Sequence, residues 1–330
     1  LCPADIPGCP LNMAWTVRKI RPCCPQKVAV CIRCELIKYR NKIQNESNDP
    51  LVLLKANFTF PVHFLNVNGY SGQDEEILCD KKVINGVTCY IIKERHISGK
   101  RIMLYFHGGA YMYGSIKEYY HMCALLSKAC NCEIIFVEYD LAPKSIFPTP
   151  IIQGIKVYEH FANQGDLKLF LCGDSAGATI EIGMIFKILE KNLQCPDAFV
   201  SICISGDEER RNKSWTKNKD KDIILGMFSD MLREDKGRNS AYLCGQSPID
   251  PMISPIYGNY KGFPPCLLQV GNNECLRDDT LEIYLKMVSQ SVDVTLEVYE
   301  DVPHIWHLYA PLLYSATKAI KNIGDFVKRW

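Results

Sequence analysis

From about residue 76 onward, short apolar runs alternate with longer stretches whose apolar positions recur every three or four residues. Runs 76–84, 87–93, 102–106, 134–139, 167–172, 199–204, 266–270 and 294–298 have the length of strands. The first two flank Asn85-Gly86, the strongest short hairpin signal. Helical spacing predicts helices near 120–128, 151–163, 178–191, 222–233, 279–289 and 312–328. This alternation implies an α/β fold, with a mostly parallel central sheet covered by helices on both faces. Residues 1–70 lack strand alternation and offer one amphipathic stretch, 27–42, that reads as helix. The organisation expected is an N-terminal helical cap region over 1–70 and a main domain over 71–330.

Composition narrows the class. The chain has 330 residues, 47% hydrophobic and 23% charged, enough apolar material for a packed core. Its 38 basic and 37 acidic residues leave a net charge of +1, so no global field draws nucleic acid or an anionic membrane. The most basic run, 208–221, is interleaved with acids and reads as a solvated loop. No segment approaches the ~20 apolar residues of a membrane span, so no stable membrane insertion is expected. The 17 cysteines are odd in number and scattered, and Cys132, Cys172 and Cys203 lie in or beside apolar runs as small hydrophobes. A reducing, cytoplasmic setting is the expectation, and the start does not read as a signal peptide. Against this stand Cys2, Cys9, Cys23, Cys24, Cys31 and Cys34, and the sequons at Asn45, Asn57 and Asn212. Cys31 and Cys34 lack a second pair at zinc-site spacing, so no metal site is expected.

Four segments carry candidate chemistry. Gly173-Asp174-Ser175-Ala176-Gly177 follows a strand and opens a helical pattern, which is the context of a nucleophile elbow. His107-Gly108-Gly109-Ala110 ends another strand, and its glycines let backbone N–H groups approach a carbonyl oxygen. The expected oxyanion donors are Gly108, Gly109 and Ala176, with His107 as an orienting residue. A general base must come later in the chain. His304 and His307 are the candidates, and His304 directly follows the last strand. The acid should follow strand 266–270, where Glu274, Asp278 and Asp279 are available. Asp278 and Asp279 sit where a helix would start and fit its dipole, whereas Glu274 lies nearer the strand end.

Together with Tyr139-Asp140-Leu141-Ala142-Pro143, Phe147-Pro148, Asp250-Pro251, Ile253-Ser254-Pro255 and Val302-Pro303-His304, these motifs resemble the hormone-sensitive-lipase family of α/β-hydrolases. The resemblance runs over roughly residues 70–330. It implies a serine carboxylesterase acting on short- to medium-chain esters through an acyl-enzyme, with Ser175, His304 and Glu274 as triad and Asp278 in reserve. It implies no metal and no organic cofactor, and a small-molecule ester as the partner. A homodimer is compatible with it. The same machinery could serve an amide hydrolase or deacetylase, and a small-ligand receptor on this scaffold is a further alternative, expected to lack a triad member. Where the family has Arg and Glu, this chain has Asp140 and Lys144, a sign reversal that would keep an ion pair if the two side chains met.

Overall fold

The apolar runs become strands because their side chains alternate between two covered faces. A computed structural model of the protein describes residues 16–20, 27–44, 49–68, 75–162, 164–235 and 240–330. Its described strands are β1 (Thr16–Ile20), β2 (Ile77–Ile84), β3 (Val87–Glu94), β4 (Arg101–Phe106), β5 (Glu133–Val137), β6 (Lys168–Asp174), β7 (Ala198–Ile202), β8 (Cys266–Gly271) and β9 (Val294–Tyr299). They form one sheet in the order β1-β9-β8-β7-β6-β4-β5-β3-β2. All neighbours are parallel except β2–β3 and β3–β5. Asn85 and Gly86, at φ +46° and +81°, close the β2–β3 hairpin as the sequence predicts.

The helices are α1 (Lys27–Gln44), α2 (Pro50–Val67), α3 (Ile116–Cys130), α4 (Thr149–Ala162), α5 (Ala176–Glu190), α6 (Ser214–Lys217), α7 (Ser229–Asp235), α8 (Arg277–Ser289) and α9 (Tyr314–Val327). On β4, Ile102, Leu104 and Phe106 join the core beneath α4, α5 and α8, while Met103 and Tyr105 join the core beneath α3 and α9. Ile32 and Leu36 of α1, with Phe60 and Phe64 of α2, extend this second core.

Three expectations need correction. The region before residue 70 contains a strand: β1 pairs in parallel with β9 at the sheet edge. It also contains α2, which the periodicity hid because Pro61 lies inside it and apolar residues occupy most of its sides. Finally, the helix expected over 222–233 is a 3₁₀ turn, Gly226–Phe228, followed by α7. There the Asp222 carboxylate accepts the backbone N–H groups of Ile224 and Leu225, and the backbone at Gly226 presses against Lys219.

Both described sequon asparagines are structural. Asn57 is buried on α2 and donates to the Ile224 carbonyl (3.1 Å), and Asn212 donates to Asp279 (2.9 Å). Asn45 and the cysteines Cys2, Cys9, Cys23 and Cys24 lie outside the described residues. No described helix is long and apolar enough to cross a membrane.

Candidate active site

β6 ends at Asp174 and α5 begins at Ala176, which leaves Ser175 alone in the turn at φ +53° and ψ −120°. Such a conformation costs on the order of 1–3 kcal/mol and persists only where its surroundings enforce it. They do so here. The Ser175 amide donates to the Ile202 carbonyl at 2.8 Å. A Cβ at Gly177 would meet the Phe106 carbonyl oxygen at 2.0 Å, and one at Gly173 would meet Gly177 at 2.5 Å. The two glycines therefore permit the strand and helix to meet this closely.

The imidazole of His304 lies on the loop after β9, with Nε2 3.0 Å from Ser175 Oγ. Its Nδ1 is 2.6 Å from Glu274 Oε2, on the loop between β8 and α8. Burial alone would lower the His304 pKa, but the hydrogen bond and charge of Glu274 outweigh it and raise the pKa above its usual value. Burial pushes Glu274 up, against the opposing His304 contact. The Glu274 loop is braced from outside: Asn218 donates to the Glu274 carbonyl (2.8 Å), and the Asp222 carboxylate accepts the Cys275 N–H (2.8 Å).

The other candidates are engaged elsewhere. His307 contacts Gln269 Oε1 through Nε2 (2.7 Å), and burial lowers its pKa to about 3. Asp278 pairs with Arg277 (2.7 Å) and accepts the Ser214 N–H (2.9 Å). Asp279 accepts the Gly206 and Asp207 amides, each at 3.2 Å. Asp140 bonds Gln153 (2.9 Å), and no Asp140–Lys144 ion pair forms. Gln153 on α4, rather than Lys144, is the partner of Asp140.

The glycine loop also departs from expectation at one position. The Gly108 N–H donates to Asp174 Oδ1 (3.0 Å) and Tyr119 OH (3.1 Å), so it is spent and cannot serve as an oxyanion donor. Asp174 further accepts the hydroxyls of Tyr105 (2.6 Å) and Tyr119 (2.9 Å), and burial raises its pKa to about 6. This carboxylate thus fastens the glycine loop to the elbow. His107 stacks on Tyr139 (4.3 Å between centroids), and burial lowers its pKa to about 4, leaving it neutral and orienting. Among the described residues, the amides of Gly109, Ala110 and Ala176 donate to no protein acceptor.

A cavity of about 520 Å³ opens on Ser175 and is lined also by Ala110 and Ala176. Trp215, Leu225, Phe228, Met231 and Leu232 form its apolar wall, and Glu208, Arg210 and Tyr242 also line it. No described residue of α1 or α2 lines it. The wall comes instead from the insertion between β7 and β8: Trp215 lies in the run 208–221 read as a solvated basic loop, and the other four in the stretch 222–233 read as helix. The loop reading is corrected in part: Glu208 and Trp215 are buried and Arg210 pairs with Glu208 at 2.8 Å, while Arg211, Lys213 and Lys217 are exposed. Trp215, a bulky apolar residue inside a charged run, was the available signal.

Ligand-type atoms of Cys203, Glu274 and His304 lie within 4.8 Å of one another, a donor set that could hold a soft cation. Each is already committed to the hydrogen-bond chain around Glu274.

Comparison with known proteins places these features in a family. Residues 103–308 match the family described as having the alpha/beta hydrolase fold. An acetyl-hydrolase of Streptomyces hygroscopicus is 31% identical over 69% of this chain and 75% of its own length. An esterase of Acinetobacter venetianus is 25% identical over 69% of this chain and 75% of its own. The crystal structure of an esterase from the bacterial hormone-sensitive lipase family superposes with a TM-score of 0.81 at 26% identity, covering 91% of this chain and 98% of that one.

Proposed function

Because this chain belongs to the α/β-hydrolase family, in its hormone-sensitive-lipase branch, we propose that Ser175, His304 and Glu274 are the triad of a carboxylesterase for short- to medium-chain esters. That the protein is a carboxylic ester hydrolase follows from its relatives. The residue roles rest on one observation: an unbroken chain from Ser175 Oγ to His304 (3.0 Å) to Glu274 (2.6 Å), beside a cavity.

In this reading His304 Nε2 takes the Ser175 proton as Oγ attacks the ester carbonyl. The amides of Gly109, Ala110 and Ala176 hold the oxyanion, and each such donor is worth about 3–4 kcal/mol in the transition state. The protonated His304, stabilised by Glu274, gives its proton to the leaving alcohol. It then activates water, which releases the acid and restores Ser175. A cavity of about 520 Å³ with an apolar wall suits a chain of a few to several carbons. A reducing compartment is the proposed setting, supported by cysteines such as Cys132, Cys172 and Cys203 that are packed into the apolar core.

The test is hydrolysis of a 4-nitrophenyl ester series from acetate to laurate by wild type and Ser175→Ala. The wild type should peak between short and medium chains, with the variant at background. Equal rates in both proteins would refute the assignment.

A further inference from the structure

Glu274 uses its two oxygens differently. Oε2 is aimed at His304, whereas Oε1 accepts the Gly271 N–H at 2.5 Å and the Cys203 thiol at 3.1 Å. The Gly271 donor belongs to the same loop as Glu274 and moves with it. Cys203 comes from another strand: it lies just beyond β7, fully buried, and its own N–H donates to the Gln269 carbonyl of β8 at 2.8 Å. Its φ of +52° is one that non-glycine residues seldom adopt, so the surroundings hold the chain there at a cost. The thiol is thus the one side-chain donor to the Glu274 carboxylate, other than His304, among the described residues.

We propose that Cys203 is a positioning residue of the hydrolase, whose S–H fixes the plane of the Glu274 carboxylate and disperses part of its negative charge. The inference rests on the triad reading above. Burial and the neighbouring Glu274 push the thiol pKa well above the usual range, so the proton stays on sulfur throughout the working pH range. With that proton, Cys203 can donate and is a poor nucleophile. The other groups bearing on the His304–Glu274 pair are Asp222 from the insertion, Asp174 from the elbow, and the neutral His307. A change at Cys203 leaves all of these in place.

The experiment compares Cys203→Ala, which removes the donor, with Cys203→Ser, which retains one in a side chain of similar reach. Rates of wild type and the Cys203 variants are measured per active site, counted by fluorophosphonate titration, with Ser175→Ala assayed per mole of protein alongside. Cys203→Ala should lose about tenfold in kcat with KM within about twofold, the scale of one hydrogen bond to a charged group. Its acidic limb should move to higher pH, because an undispersed Glu274 charge stabilises the His304 imidazolium more strongly. Cys203→Ser should recover most of kcat and the wild-type limb. The inference fails if Cys203→Ala matches wild type in rate and limb, or if Cys203→Ser is as impaired as Cys203→Ala. Should Cys203→Ala yield no titratable sites, the serine variant decides alone: more than about tenfold loss there also overturns it. Full activity of Ser175→Ala would instead sink the triad reading itself.

Discussion

Two carboxylates four residues apart in sequence have different fates because only one faces the imidazole. Glu274 meets His304 at 2.6 Å, whereas Asp278 is bound to Arg277 and to the Ser214 amide. Glu274→Gln should therefore cost kcat about ten-thousandfold, the scale of a triad acid replaced by its amide. Asp278→Asn should retain most activity; steady-state kinetics on one ester distinguishes the two. The pH profile carries the same information with a sign. Ester attack needs neutral Nε2, and Glu274 raises the His304 pKa above its ordinary 6.5. Activity should accordingly fall as pH drops through a limb lying above 6.5, and Glu274→Gln should move whatever limb remains to lower pH.

Elements meet at the site through Asp174 more than through the triad. This one carboxylate receives hydroxyls from Tyr105 on β4 and Tyr119 on α3, and the Gly108 amide of the glycine loop. Asp174→Asn puts an NH₂ where one of these donors points, so a donor faces a donor and the loop loses its anchor. We expect kcat to fall about 10- to 100-fold with KM little changed, a fraction of what whole oxyanion donors contribute. Stopped-flow acylation of a 4-nitrophenyl ester reads this directly. The same variant leaves the Ser175–His304 contact untouched, so labelling by a fluorophosphonate should slow rather than vanish.

At the scale of the molecule, the loops bearing Glu274 and His304 hang from β8 and β9, and a buried polar network locks those strands to α9. Glu297 accepts Gln269 Nε2 (2.9 Å), Tyr299 OH (2.9 Å) and Asn322 Nδ2 (3.0 Å). Gln269 in turn engages His307. Glu297→Ala would strand several buried donors at once and should cost about 3 kcal/mol or more of stability, read from urea unfolding. Asp80→Ala on the exposed face of the edge strand β2 should stay within about 0.5 kcal/mol.

The strands from β2 onward, their order along the chain, the nucleophile elbow and the His304 loop were legible in the sequence, because each is written locally in periodicity, glycines and turn residues. Ser175 and Gly177 carry their geometry in a pentapeptide, and Asn85-Gly86 needs no partner to turn. What contacts between distant segments decide was not legible. That the Gly108 amide turns inward depends on Asp174 and Tyr119, and that Glu208 and Trp215 of the run 208–221 are buried depends on the cavity wall that Trp215 helps to build. Strand β1 forms because β9 offers an open edge, and α2 because Phe60 and Phe64 find Tyr309. Local pattern fixes which backbone shapes are affordable, but the partner of a donor, or the covering of an apolar face, is set only when the chain closes on itself.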